Sequence, residues 1–308
     1  MTAIPLIRSR FDPTRLVRSP DLSSRLGANV YLKLECELPT GSFKVRGALY
    51  ALSITHERSP ITEVVAASTG NHGAAVAWAA QQIGIRARIF VPSGANRTKT
   101  TRIERLGATL TETGADIEAA RRAAEEHAAA SGAMVLDDAT NDDVAVGAGT
   151  LGSELLDQVP ECDCVVVPVG DSALIRGVAA AMKATRPDLR VIGVQAENAP
   201  SYFNSWRSGR VDTTETANTI ADGLATMTPR AANVTAIRRL VDEMVLVSER
   251  EMLDAMRWLR AHDGIVAEPA GAAPVAALLQ PTRSHAGSIV ALVTGGNVAP
   301  ELMEQVGR

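Results

Sequence analysis

Lys44 is the residue of this chain whose surroundings could make an amine react. It lies in Pro39-Thr40-Gly41-Ser42-Phe43-Lys44-Val45-Arg46-Gly47-Ala48, ahead of a helical run from Val45 to Leu52. Gly41 supplies backbone freedom and Ser42 reads as an N-cap, which puts Lys44 in the first turn of the helix. The positive end of the helix dipole and any burial both disfavour the ammonium, so an amine there is easier to deprotonate and more available to attack a carbonyl. Taken alone, the segment also reads as a solvated lysine in a first turn.

Three further segments read as apolar strands that end in turns of small residues. Val64-Val65-Ala66 runs into Ala67-Ser68-Thr69-Gly70-Asn71-His72-Gly73-Ala74-Ala75, whose amides and hydroxyls would face an anion at the start of the following helix. Val165-Val166-Val167-Pro168-Val169 runs into Gly170-Asp171-Ser172-Ala173-Leu174, a turn that could cradle a phosphate before a helix from Ile175 to Lys183. Ile289-Val290-Ala291-Leu292-Val293 ends in Thr294-Gly295-Gly296-Asn297. Singly, each is what any α/β sheet shows at its strand ends.

Together and in this order, these segments resemble the pyridoxal-phosphate enzymes of fold type II, the tryptophan synthase β-like group. Within that group the likeness is to the serine/threonine dehydratases and serine racemases. It runs from Leu32-Lys33-Leu34-Glu35 through Gly41 to Lys44, Ser68 to Gly73, Thr219-Ile220-Ala221-Asp222-Gly223 and Glu268-Pro269-Ala270-Gly271 to Thr294-Gly295-Gly296-Asn297. The resemblance implies pyridoxal 5'-phosphate as cofactor and an α/β fold of two domains, each a mostly parallel sheet flanked by helices. It also implies a discontinuous large cofactor-binding domain (residues 1–62 and 142–308), a small substrate-loop domain (63–141), and a homodimer.

The resemblance gives each motif a role. Lys44 matches the family's Schiff-base lysine, whose freed amine removes the Cα proton, and Phe43 either packs near the cofactor or is simply buried. Asn71 matches the asparagine that bonds the ring hydroxyl, unless it only caps the helix, while Ser68, Thr69, Gly70, Asn71 and His72 form the loop that receives the substrate carboxylate. Gly170, Asp171, Ser172, Ala173 and Leu174 stand where relatives carry a run of glycines around the cofactor phosphate. Asp171 is the clearest departure, because it adds negative charge beside a phosphate that carries about two. Its carboxylate must turn outward, cap the helix or pair with Arg176, or else it reads the substrate.

Thr294 matches the family position that offers the pyridine nitrogen a neutral hydroxyl, which favours prompt elimination over transamination, and Glu268 matches a family glutamate near the ring or merely precedes a helix. The implied reaction is β-elimination from a β-hydroxy amino acid, L-threonine or L-serine by default, giving a 2-oxo acid and ammonium. Alternatives are 3-hydroxyaspartate, phenylserine or an ectoine-derived compound as substrate, or a serine/aspartate-type racemase. For a racemase, Thr69 replaces the serine that serves as the second acid/base, and its methyl crowds the hydroxyl and stiffens χ1. Metal-activated relatives use a glutamate and an aspartate where this chain has Gln195 and Ser201, with Ala199 between them, so no metal is expected there.

Composition agrees with this reading. The 308 residues are 46% hydrophobic, enough for a substantial core, and the formal net charge is -4 without a long basic run, which argues against nucleic acid as a partner. The N-terminal residues lack the apolar core of a signal peptide, and no stretch approaches about 20 uninterrupted apolar residues, so a cytoplasmic enzyme with no membrane partner is expected. The chain ends soon after Asn297, which leaves no room for the regulatory domain of biosynthetic threonine deaminases. Cys36, Cys162 and Cys164 are too few and too irregular for a disulfide framework. Apolar runs at 64–67, 87–91, 134–136, 164–169, 191–195, 244–247 and 289–293 read as strands, and the stretches at 74–83, 98–106, 116–130, 174–185, 249–261 and 270–279 between them as helices.

Overall fold

The computed structural model describes residues 2–281 and 286–307. Its strands in chain order are β1 (Leu16–Arg18), β2 (Asn29–Leu34), β3 (Glu63–Ala67), β4 (Arg86–Val91), β5 (Thr109–Glu112), β6 (Met134–Val135), β7 (Cys162–Pro168), β8 (Arg190–Ala196), β9 (Glu243–Val247) and β10 (Ser288–Val293). They build two sheets, one in each of two compact units. One unit is Met1–Phe11 with Lys44–Gly147, and the other is Asp12–Phe43 with Ala148–Arg308.

The sheet of the first unit has the order β5-β4-β3-β6, with every neighbour parallel. Glu63 to Ala66 of β3 are buried, as expected of a parallel strand covered on both faces. The helix Asn71–Ile83 packs beside the helix Lys44–Arg58. Another helix, Ile117–Ser131, turns Ala120, Ala124 and Ala128 toward Val65 and Phe90 at the spacing that gives a helix one apolar face. Asp116 starts that helix by accepting the Ala119 amide at 2.8 Å.

The sheet of the second unit has the order β1-β2-β10-β7-β8-β9, parallel except for β1 against β2. All of β10 is buried, and the helix Pro269–Leu279 lies over β10, β7, β8 and β9 with Pro269 to Leu278 buried. Helix Ala173–Thr185 contributes Leu174, Ile175, Val178 and Met182 to the second apolar cluster of this unit. Lys33 on β2 is fully buried. Its ammonium meets Glu154, the Gln158 Oε1 at 2.7 Å and the Thr14 carbonyl at 2.8 Å.

The chain adopts the expected α/β class, with mostly parallel sheets flanked by helices. Three strands lie outside the apolar runs of the sequence: β1, β2 and β5. β2 hides behind its buried lysine, and the edge strand β5 (Thr109, Leu110, Thr111, Glu112) is only half-covered. The helix Asp142–Gln158 also escapes the periodicity, because Gly147, Gly149 and Gly152 interrupt it. A Cβ on Gly147 would lie 2.5 Å from the Arg46 carbonyl oxygen, so glycine is what lets that turn come close. By contact, the chain divides after Phe11, after Phe43 and after Gly147, whereas the resemblance implies a small domain of residues 63–141; the helix Lys44–Arg58 packs on Asn71–Ile83 and belongs to the same unit. No helix among the described residues is long and apolar enough to cross a membrane.

Candidate active site

In the first unit, Lys44 is the opening residue of its helix and half-buried. Its Nζ is paired with Asp138 Oδ2. Asp138 is 7% exposed and stands just past β6. There the Leu136 amide donates to the Val65 carbonyl at 2.9 Å, and Asp137 Oδ1 accepts the amides of Ala139 and Thr140 at 2.9 and 3.0 Å. Burial pushes the Asp138 carboxyl up, but the Lys44 ammonium, with help from His72, outweighs it and holds the group well below the usual carboxylate range.

His72 faces the same carboxylate oxygen of Asp138, its Nδ1 3.6 Å from Oδ2 and its Nε2 2.9 Å from the Leu136 carbonyl oxygen. Gly70 is the N-cap of the helix Asn71–Ile83, and no side chain caps it. Asn71 is therefore the first helical residue and not the cap. The Gly70 amide donates to Ser68 Oγ at 3.2 Å, which folds Ser68, Thr69 and Gly70 into a half-buried turn at the helix start. Asp138 is the residue that motif reading missed. Its only trace in the sequence is a pair of acidic residues after the short apolar run at 134–136.

In the second unit, Gly170 to Leu174 join β7 to the helix Ala173–Thr185. A Cβ on Gly170 would lie 2.1 Å from the Gly223 carbonyl oxygen, so the turn needs glycine to lie against the segment Asp222–Leu224. Ser172 has φ of 70°, the left-handed region that a non-glycine residue enters at a cost of about 1 kcal/mol. Its hydroxyl does not cap the helix and lies 3.4 Å from the Tyr202 hydroxyl, which also accepts from Asn233 Nδ2 at 3.3 Å. Asp171 Oδ1 accepts the Thr226 hydroxyl at 3.2 Å, a partner outside the capping and Arg176 contacts that its sequence position suggests.

Thr294, 2% exposed, directly follows β10. Its carbonyl accepts the Phe43 amide at 3.0 Å, and Ser42 forms an antiparallel bridge with Gly295 instead of capping the Lys44 helix. The Ser42 hydroxyl is buried with no hydrogen-bond partner among the described residues. Asn297 Nδ2 donates to the carbonyls of Thr40 and Gly41 at 3.0 and 3.3 Å, and Gly41 has φ of 59°. The Glu268 amide donates to the Gly295 carbonyl at 2.9 Å, and its carboxylate lies where a Cβ on Gly295 would sit. Phe43 packs on the apolar cluster that includes Val167 and Leu292. Strand tip, glycine turn and Glu268 are thus tied together by backbone bonds.

These groups fit a phosphate-bearing aldehyde cofactor. The turn at Gly170–Ser172 leads into a helix start that no side chain caps, and Ser42 presents an unsatisfied buried hydroxyl. At the positions of a metal site in other relatives, Gln195 Oε1 accepts the Phe203 amide at 2.9 Å and the Ser201 hydroxyl donates to the Thr226 carbonyl.

Residues 7–295 match the family described as pyridoxal-phosphate dependent enzyme, and the chain belongs to that family. It is 39% identical over 293 residues to an L-threonine ammonia-lyase of Thermotoga maritima, spanning 95% of this chain and 73% of that one. It is 37% identical over 290 residues to the L-threonine dehydratase catabolic TdcB of Staphylococcus aureus, spanning 92% and 84%. The solved structure of maize serine racemase matches with a TM-score of 0.93 at 31% identity, covering 98% of this chain and 94% of that one.

Proposed function

We propose that this enzyme eliminates water from a β-hydroxy amino acid, L-threonine or L-serine, and releases an enamine that tautomerises and takes up water to give a 2-oxo acid and ammonium. The observation that carries this reading is the half-buried Lys44 at a helix start, its Nζ held by the Asp138 carboxylate. Bound pyridoxal phosphate supplies the electron sink that acidifies the Cα–H bond. Lys44 would hold it covalently and then take the Cα proton, and Asp138 stabilises that amine once it is charged.

The open helix start at Ser68, Thr69, Gly70, Asn71 and His72 would receive the substrate carboxylate, with the Asn71 amide turned to the ring hydroxyl. Gly170 to Leu174 would hold the phosphate, and the Thr226 bond keeps the Asp171 carboxylate engaged elsewhere. Thr294 would face the ring nitrogen as a neutral partner, with Phe43 and Glu268 beside the ring. A neutral partner weakens the sink and favours prompt loss of a β-leaving group. Racemisation needs a second acid/base, and Thr69 offers only a crowded hydroxyl.

We further place the enzyme as a homodimer in the cytoplasm, where its free cysteines Cys36, Cys162 and Cys164 suit a reducing compartment. Purified enzyme should release 2-oxo acid from L-threonine or L-serine, and borohydride should fix the cofactor to Lys44. Label recovered on another lysine, or chiral inversion without any oxo acid, would overturn the assignment.

A further inference from the structure

Asp138 is the buried carboxylate against Lys44 that the motif roles leave unassigned, and its neighbours limit what it can do. The Leu136 carbonyl oxygen can only accept, so the His72 Nε2 at 2.9 Å from it carries a proton. His72 Nδ1, 3.6 Å from Asp138 Oδ2, then bears either a lone pair, which the carboxylate repels, or a second proton, which it attracts. The firm counter-charge is the Lys44 ammonium. Before it takes the Cα proton the freed Lys44 nitrogen must be a neutral amine, so in that state a carboxylate that is 7% exposed lacks its counter-charge and needs another donor.

We propose that Asp138 is a specificity-determining residue whose Oδ2 receives the β-substituent of the substrate, so that the site takes hydroxyl or ammonium groups there and rejects carboxylates. The substrate class is then β-hydroxy or β-amino amino acids, and 3-hydroxyaspartate falls outside it. The inference rests on the elimination reading above and narrows it. Asp138 reaches the place by geometry: the atom it touches, Lys44 Nζ, is the one that must reach the substrate Cα, and the β-substituent is two bonds further on. Like charges at this range in a poorly hydrated site repel strongly, which is why an anionic β-group is disfavoured.

The test uses the holoenzyme and two readouts, the shift of the cofactor's visible absorption on ligand binding and the release of 2-oxo acid. The ligands are L-serine, L-2,3-diaminopropionate and both L-3-hydroxyaspartates, with wild type and Asp138→Asn compared. Wild type is expected to bind 3-hydroxyaspartate at least about tenfold more weakly than L-serine and L-2,3-diaminopropionate. Asparagine keeps the size and removes the charge, so Asp138→Asn should change the serine-to-hydroxyaspartate ratio by about fivefold or more. A wild-type ratio under about tenfold, or a smaller change in the variant, overturns the proposal. If Asp138→Asn does not retain the cofactor, the wild-type panel alone decides. Discrimination by absorbance without oxo acid from any ligand sinks the elimination reading and leaves Asp138 standing, whereas oxo acid with flat binding ratios does the reverse.

Discussion

A carboxylate that is almost fully buried keeps its charge only when a cation stands against it, and Asp138 has Lys44 there. Because its folded pKa lies below the unfolded value, the ion pair stabilises fully above about pH 4, and that contribution is lost as pH falls through the folded value. In cofactor-free protein, the stability difference between wild type and Asp138→Asn should therefore be constant from neutrality to about pH 5 and shrink below about pH 4. Urea denaturation across that range checks it; a difference that grows on acidification would mean that Asp138 is protonated in the fold. Lys44 and the loop from Ser68 to His72 could be read in the sequence because each is a short contiguous motif. Asp138 could not, since it meets Lys44 across 94 positions of chain and a single long-range pair leaves no local pattern.

Strand-to-helix turns carry the motif residues, and what makes them legible is the parallel sheet. β3, β7, β8, β9 and β10 are covered enough to read as apolar runs, whereas β2 breaks its run with Lys33, which is affordable inside the sheet only because Glu154, Gln158 and Thr14 surround the ammonium. The helix Asp142–Gln158 was lost to its glycines, and their purpose is close approach, which appears only in three dimensions. Gly170 is the sharper case. Its substitution by alanine sets a Cβ 2.1 Å from the Gly223 carbonyl oxygen, so the turn before helix Ala173–Thr185 has to move. Overpacking of this kind costs about 1–3 kcal/mol, and the displaced amides are those assigned to the phosphate. Gly170→Ala should weaken cofactor binding by about tenfold or more while circular dichroism stays unchanged. Affinity within about twofold of wild type would place the phosphate elsewhere.

Across the molecule, charge is arranged for internal bonds. Among the described residues no group of three or more His, Cys, Asp or Glu is placed to hold a metal ion. Gln195 near the end of β8 and Ser201 at the start of the helix Ser201–Ser208 are the positions that the resemblance matches to two carboxylates of metal-activated relatives, and each is engaged inside the fold: Gln195 Oε1 with the Phe203 amide at 2.9 Å, and the Ser201 hydroxyl with the Thr226 carbonyl. Thr226 in turn donates to Asp171, so this part of the second unit is cross-braced by hydrogen bonds in which Gln195 and Ser201 already serve. A neutral amide and a hydroxyl offset the dehydration of a hard cation poorly. A bound cation at about 100 times its Kd would add about 2.7 kcal/mol to stability, a shift of several degrees that is easy to see. Exhaustive chelation should therefore leave activity and melting temperature unchanged to within about 1 °C, and added magnesium or calcium should raise neither. If chelation removes more than about half of the activity and either ion restores it, Glu197 or another nearby carboxylate must complete a site that Gln195 and Ser201 do not, and the assignment of this segment as purely structural fails.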